Sequence, residues 1–117
     1  MAISYVDLDD VYPIANNNNL NLEISVGDGQ PNYSISVFLD QERKGTSELI
    51  PLGTVDDVGG KKVMIVIVVQ DRLTQTNWTS FTAKIKQGGA ERIFGPYKKQ
   101  AENHLDTIIY TLKIEIQ

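Results

Sequence analysis

Seven large apolar residues follow one another from Val63 to Val69, most of them β-branched. Such side chains suit a strand, and successive strand side chains point to opposite faces. A strand with one wet face alternates apolar and polar residues. This segment does not alternate, so it predicts a central strand with both faces covered. Three or four of these side chains left in water would forfeit roughly 5–10 kcal/mol, at about 1.5–3 kcal/mol each. That is comparable with the whole stability of a domain, about 5–15 kcal/mol. The expected covers are the segment Ile3–Ile14, the segment Tyr97–His104 or a second subunit, with a ligand cavity between sheets as the remaining option.

Two flanking segments alternate cleanly. Leu20–Val26 reads Leu-Asn-Leu-Glu-Ile-Ser-Val, and Tyr33–Leu39 reads Tyr-Ser-Ile-Ser-Val-Phe-Leu. The turn-rich stretch Gly27–Asn32 lies between them. A hairpin is expected, with Val26 opposite Tyr33, Ile24 opposite Ile35, Leu22 opposite Val37 and Leu20 opposite Leu39. A one-residue slip would mix the faces. Phe38 is the exception, falling on the polar face opposite Asn21.

The remaining punctuation is read in the same way. Ile3–Ile14 fits either a helix stopped by Pro13 or a short strand from Ser4 to Leu8. Asn16–Asn19 is a loop, as is polar Gln41–Thr46. Ser47–Val55 reads as a weaker strand, and Pro51 within it demands an edge position. Asp56–Lys61 is a turn. Trp78–Gln87 alternates again, and Gly88-Gly89 signals a tight hairpin. That register sets Lys86 opposite Glu91 but puts Arg92 beside Ile85, so a bulge is expected. Gly95-Pro96 ends the following strand, and Tyr97–His104 forms helical turns or an irregular crossover. A final strand runs from Thr107 to Ile116. Short strands with turn signals about every 8–12 residues predict an antiparallel β-sandwich. The expectation is seven or eight strands, at most one short helix, and one domain spanning residues 1–117.

Composition narrows the partners. The chain has 117 residues, a net charge of −4 and no cysteine. Disulfides and thiolate metal sites are excluded, and the compartment stays open. Met1–Asp7 lacks the features of a secretory leader, and no apolar run approaches the roughly 18 residues that span a bilayer. The scattered lysines and arginines argue against nucleic acid, whose binding needs clustered cations.

Candidate chemistry is sparse. His104 is the only histidine, which rules out a multi-histidine metal site. Paired with Asp106 it could act as a base and its orienter, but no serine sits in a G-x-S-x-G context. Gly27-Asp28-Gly29 and Gly88-Gly89-Ala90 are hairpin glycines, not phosphate loops. The expectation is a protein that is not an enzyme and carries no cofactor. Asp7, Asp9 and Asp10, with Asp28, Asp40, Asp56 and Asp57, read as solvated acids or as calcium ligands on loops. Trp78 falls on the polar face of its strand, next to Asn77, while Tyr33 and Tyr97 flank loops. These four are the candidate binding residues, because a flat aromatic beside hydrogen-bonding groups suits a sugar. The leading expectation is a non-catalytic accessory or structural subunit that acts by protein–protein contact or self-association. The alternative is a carbohydrate-binding module built on Trp78, with or without calcium.

Overall fold

The computed structural model describes residues 2–117. Nine strands and one short helix follow in the order β1 (Ile3–Tyr12), β2 (Leu20–Val26), β3 (Asn32–Leu39), β4 (Glu42–Gly45), β5 (Leu49–Gly53), α1 (Val55–Val58), β6 (Lys62–Gln70), β7 (Trp78–Gln87), β8 (Ala90–Gln100) and β9 (Thr107–Ile116). They form two packed sheets, one ordered β1-β9-β6-β3-β4 and the other β5-β2-β7-β8. All pairings are antiparallel except β1 with β9. The expected β-sandwich is therefore the fold, with nine strands rather than seven or eight. The additional strands come from the two segments with the weakest patterns. The ambiguous N-terminal segment is strand throughout, and the polar stretch after Gln41 is the short edge strand β4.

The core is the meeting of two sets of alternate residues. From the five-stranded sheet come Ile35, Val37 and Leu39, then Val63, Ile65, Ile67 and Val69, then Ile108, Tyr110, Leu112, Ile114 and Ile116. From the four-stranded sheet come Leu20, Leu22 and Ile24, then Ile50 and Leu52, then Phe81, Ala83, Ile85 and Phe94. Val58 of α1 closes one end. Thr54 caps this helix by accepting the Asp57 N–H at 3.2 Å.

The expected β2–β3 hairpin does not form. β2 pairs with β5 and β7, whereas β3 pairs with β4 and β6 in the opposite sheet. The link between them crosses the sandwich. Buried Gln30 holds that crossing: its Nε2 donates to Asp71 Oδ1 and to the Trp78 carbonyl, both at 3.0 Å, and its Oε1 accepts the Arg72 N–H at 3.1 Å. The inward residues are nevertheless those the alternation indicates. Adjacent strands in one sheet and facing strands across a core bury the same alternate side chains, so the pattern alone does not separate the two.

The expectation that the chain's own segments cover both faces of the apolar strand is also corrected. β6 lies between β9 and β3, the centre of its sheet. Val63, Ile65, Ile67 and Val69 are fully buried, but Met64, Val66 and Val68 are only half-buried on the outside. Neither expected segment lies over them, because Ile3–Tyr12 runs alongside β9 as an edge strand and Tyr97–Gln100 continues β8. The flanking side chains of β9 and β3 supply the partial cover.

Other expectations hold. Pro51 sits on edge strand β5. β7 and β8 turn at Gly88-Gly89 with Lys86 opposite Glu91 and Arg92 opposite Ile85. The register breaks between Phe81 and Ala83, opposite the Gly95-Pro96 stretch, so these residues bulge β8 rather than ending it. Arg92 is tolerated beside the core because it reaches Asp10 of β1 at 3.2 Å and lies over the Phe94 ring.

Candidate functional site

The outer surface of the five-stranded sheet is set by its register. Alternate residues of β1, β9, β6 and β3 place Tyr5, Ile109, Val68 and Ser34 in one row across the strands. The next row holds Asp7, Thr111, Val66 and Ser36, and the one after it Asp9, Lys113, Met64 and Phe38, extended by Arg43 on β4. An apolar band thus crosses the sheet from Tyr5 through Val68 and Val66 to Met64 and Phe38. Its β1 end is the most open, with Tyr5 69% and Ile3 55% exposed. The β1 margin carries Asp7 and Asp9, while the opposite margin carries Arg43. A hollow of about 600 Å³ bounded by Asp40, Gln41, Lys62, Met64 and Lys113 indents the lower end of the band.

The aromatic candidates do not converge. Trp78, at the start of β7, is 42% exposed on the outside of the four-stranded sheet. The Lys98 ammonium sits 5.8 Å from its ring centre and 3.9 Å from Asp28. Asn77 precedes Trp78, and its backbone carbonyl accepts the Ala101 N–H at 2.8 Å. Tyr97 turns toward the core, with its ring 5.3 Å from that of Phe81, and burial raises its pKa. Tyr33 belongs to the other sheet and donates its hydroxyl to Glu48 at 2.6 Å, a bond that raises the phenol pKa. Trp78 and Asn77 are chain neighbours; no ring contact or side-chain hydrogen bond joins any other two of the four.

The remaining candidates are dispersed. Both Asp106 oxygens accept backbone N–H groups, from Ala2 at 2.8 Å and Asn103 at 2.9 Å, so Asp106 does not orient His104. These bonds hold the Asp106 carboxyl below the ordinary range. Among the described residues no three histidine, cysteine or carboxylate side chains gather to hold a metal ion. Asp7 and Asp9 follow the outer face of β1, whereas Asp56 and Asp57 lie in α1. Among those residues no helix is long and apolar enough to cross a membrane.

Sequence reasoning missed the polar groups that organise the ends of the core. Gln87 is fully buried: its Oε1 accepts from the Tyr12 hydroxyl at 2.9 Å and the Ala15 N–H at 3.0 Å. Its Nε2 donates to the carbonyls of Asn16 at 2.7 Å and Asn18 at 3.0 Å, fixing the asparagine loop. At the opposite end, the buried Tyr110 hydroxyl donates to the Thr79 carbonyl at 3.1 Å, and burial raises its pKa. A signal was present, because Gln87 extends the inward row Phe81, Ala83, Ile85, and Thr79 begins it.

Comparison with protein-family models, with curated proteins and with solved structures gave no match.

Proposed function

We propose that the protein is a non-catalytic structural or accessory subunit that self-associates through the outer face of its five-stranded sheet. The observation that carries this reading is the half-buried row Met64, Val66 and Val68, which the chain's own segments leave uncovered. A soluble surface seldom keeps such a contiguous apolar band without use. Strand spacing and residue rise give the face an area of roughly 650 Å². Standard protein interfaces bury about 800 Å² per partner, so the expected dimer is modest in strength.

The charge pattern favours a second copy. A two-fold axis along the strands lays the β1 margin over the opposite margin of the other subunit. Val66 then meets the partner's Val66, and Asp9 approaches the partner's Arg43. Sedimentation should give a monomer–dimer equilibrium in the micromolar range. Val66→Asp should shift it to monomer, as should Asp9→Arg. Combining Asp9→Arg with Arg43→Asp should restore the dimer. A wild-type monomer at all concentrations, or no rescue in the double variant, refutes this arrangement.

A second reading rests on Trp78, whose exposed ring beside Lys98 offers an apolar platform with an adjacent hydrogen-bond donor. It makes the protein a carbohydrate-binding module. A glycan array probed with wild type and Trp78→Ala tests it. Absence of binding, or binding that the substitution leaves unchanged, removes this reading.

A further inference from the structure

β4 is too short to cover β3. It pairs only with Val37–Leu39, and the chain then leaves through Thr46–Glu48 for β5 in the other sheet. The Glu48 carbonyl is already bonded there, to the Ile24 N–H at 2.8 Å. Tyr33, Ser34, Ile35 and Ser36 therefore pair with β6 on one side and with no strand on the other. The open side is a groove of about 650 Å³ between this stretch and Arg43, Thr46, Ser47 and Glu48. The exposed Tyr33–Glu48 hydrogen bond, 2.6 Å long, joins its two sides at the Tyr33 end. Because strand residues alternate in the side to which they direct N–H and C=O, two of the four present both groups to the groove.

Unpaired strand edges are normally blunted by charge, proline or distortion. The other edges follow that rule. β1 carries Asp7, Asp9 and Asp10, β5 contains Pro51, and β8 is bulged and contains Pro96, Lys98 and Lys99. Tyr33-Ser34-Ile35-Ser36 has none of these devices. A row of free backbone donors and acceptors is complementary to another extended backbone. We propose that this edge is a docking site for an extended segment of a partner polypeptide, which adds to the five-stranded sheet in line with β4.

The groove also sets the side-chain pattern of the guest. Neighbours of Tyr33 and Ile35 point toward the core and should be apolar. Neighbours of Ser34 and Ser36 point outward and should be small and polar. A second copy of this edge fits poorly. In a two-fold pairing, β4 of each subunit would occupy the space at the Asn32 end of the other β3. The groove shares Ser34, Ser36 and Arg43 with the outer face of the sheet, but the pairing uses the backbone edge of β3 and does not rest on self-association through that face.

The test uses the intact protein and a capped eight-residue peptide of alternating threonine and valine, titrated to millimolar concentration and followed by amide NMR. Backbone pairing tolerates sequence, so this probe suffices. Shifts should concentrate on residues 33–36 and 43–48, with intermolecular contacts between backbone protons of peptide and β3. A fully N-methylated peptide, which lacks the donors, should bind at least tenfold more weakly. Ile93→Ser, at an exposed position of β8 in the other sheet, should leave binding unchanged. No shifts at millimolar peptide, shifts elsewhere, or equal binding of the methylated peptide overturns the proposal. Concentration-dependent shifts at residues 33–36 without peptide would assign the edge to a second copy and overturn it as well.

Discussion

Replacing Gln87 with leucine tests whether the buried amide, rather than apolar packing, closes that end of the sandwich. The side chain is fully buried and makes four hydrogen bonds, at 2.9, 3.0, 2.7 and 3.0 Å. Each is worth about 0.5–1.5 kcal/mol net. Leucine keeps the volume and gains apolar burial, which offsets part of the loss. Water can reach the Asn16–Asn18 loop and satisfy some of its carbonyls, but the Tyr12 hydroxyl is buried and loses its acceptor. The net cost is about 3 kcal/mol. A chain of this length has an unfolding entropy near 0.25 kcal/mol per degree, so Tm should fall by about 12 °C. Calorimetry gives the number, and amide exchange should show the loss concentrated in residues 15–19. Gln87→Glu should recover stability at acid pH, because only the protonated carboxyl can donate to one of the two carbonyls. A Tm drop of less than about 4 °C for Gln87→Leu, or exchange raised uniformly over the chain, would refute the account.

Other expectations follow from the same structure. Ile67→Ala should cost about 2–4 kcal/mol by leaving a core cavity, whereas Val66→Ala on the outer face should cost less than about 1 kcal/mol; urea denaturation compares them, and equal costs would restore the two-sided burial of β6. Gln30→Leu should destabilise by about 2 kcal/mol, with increased exchange around Gly27–Pro31 and Asp71–Asn77, the two crossings its side chain joins. The folded Asp106 pKa lies below its ordinary value of 3.8, so its contribution is complete above that value and declines as pH falls toward the folded pKa. Stability curves of wild type and Asp106→Asn should differ in slope across that acid window and run parallel at neutral pH.

How much of this was legible in the chain depends on the kind of information required. Alternation reports which residues avoid water, so the core rows from Leu20 to Ile116 were readable. The turn end of the β7–β8 hairpin was readable, because Gly88-Gly89 fixes its register; the bulge was not placed, since Arg92 stays opposite Ile85 and the break falls at Gly95-Pro96, where the strand was expected to end. Sheet assignment was not readable from alternation. Leu22 and Val37 face the same interior whether their strands lie side by side or across the core. The apolar run of β6 misled for a related reason. At the centre of a five-stranded sheet, the neighbours Thr111, Ser36, Ile109 and Phe38 half-cover Val66, Val68 and Met64 without any third layer. Roughly half of the expected 5–10 kcal/mol penalty is removed in this way.

The feature that decides between hairpin and crossing is polar. Gln30 looks like one more turn residue between Gly29 and Pro31, yet it is buried and bonded to Asp71, Arg72 and Trp78. A solvent-exposed hairpin loop has no need to bury an amide. Gln87, Thr79 and Asp71 make the same point, since each continues an inward apolar row one step beyond its aliphatic members. A polar residue at that parity must find partners or cost about 1–3 kcal/mol: Gln87 finds the backbone of the β1–β2 link, Thr79 the Lys99 carbonyl and the Tyr110 hydroxyl, and Asp71 the Gln30 amide. Such positions mark where strands exit the sandwich. The β4–β5 link lacks a buried polar counterpart: Glu48 ties it through its carbonyl to the Ile24 N–H and through its carboxylate to the exposed Tyr33 hydroxyl. That crossing leaves β3 half paired, and the open edge is a consequence of where the chain chose to change sheets.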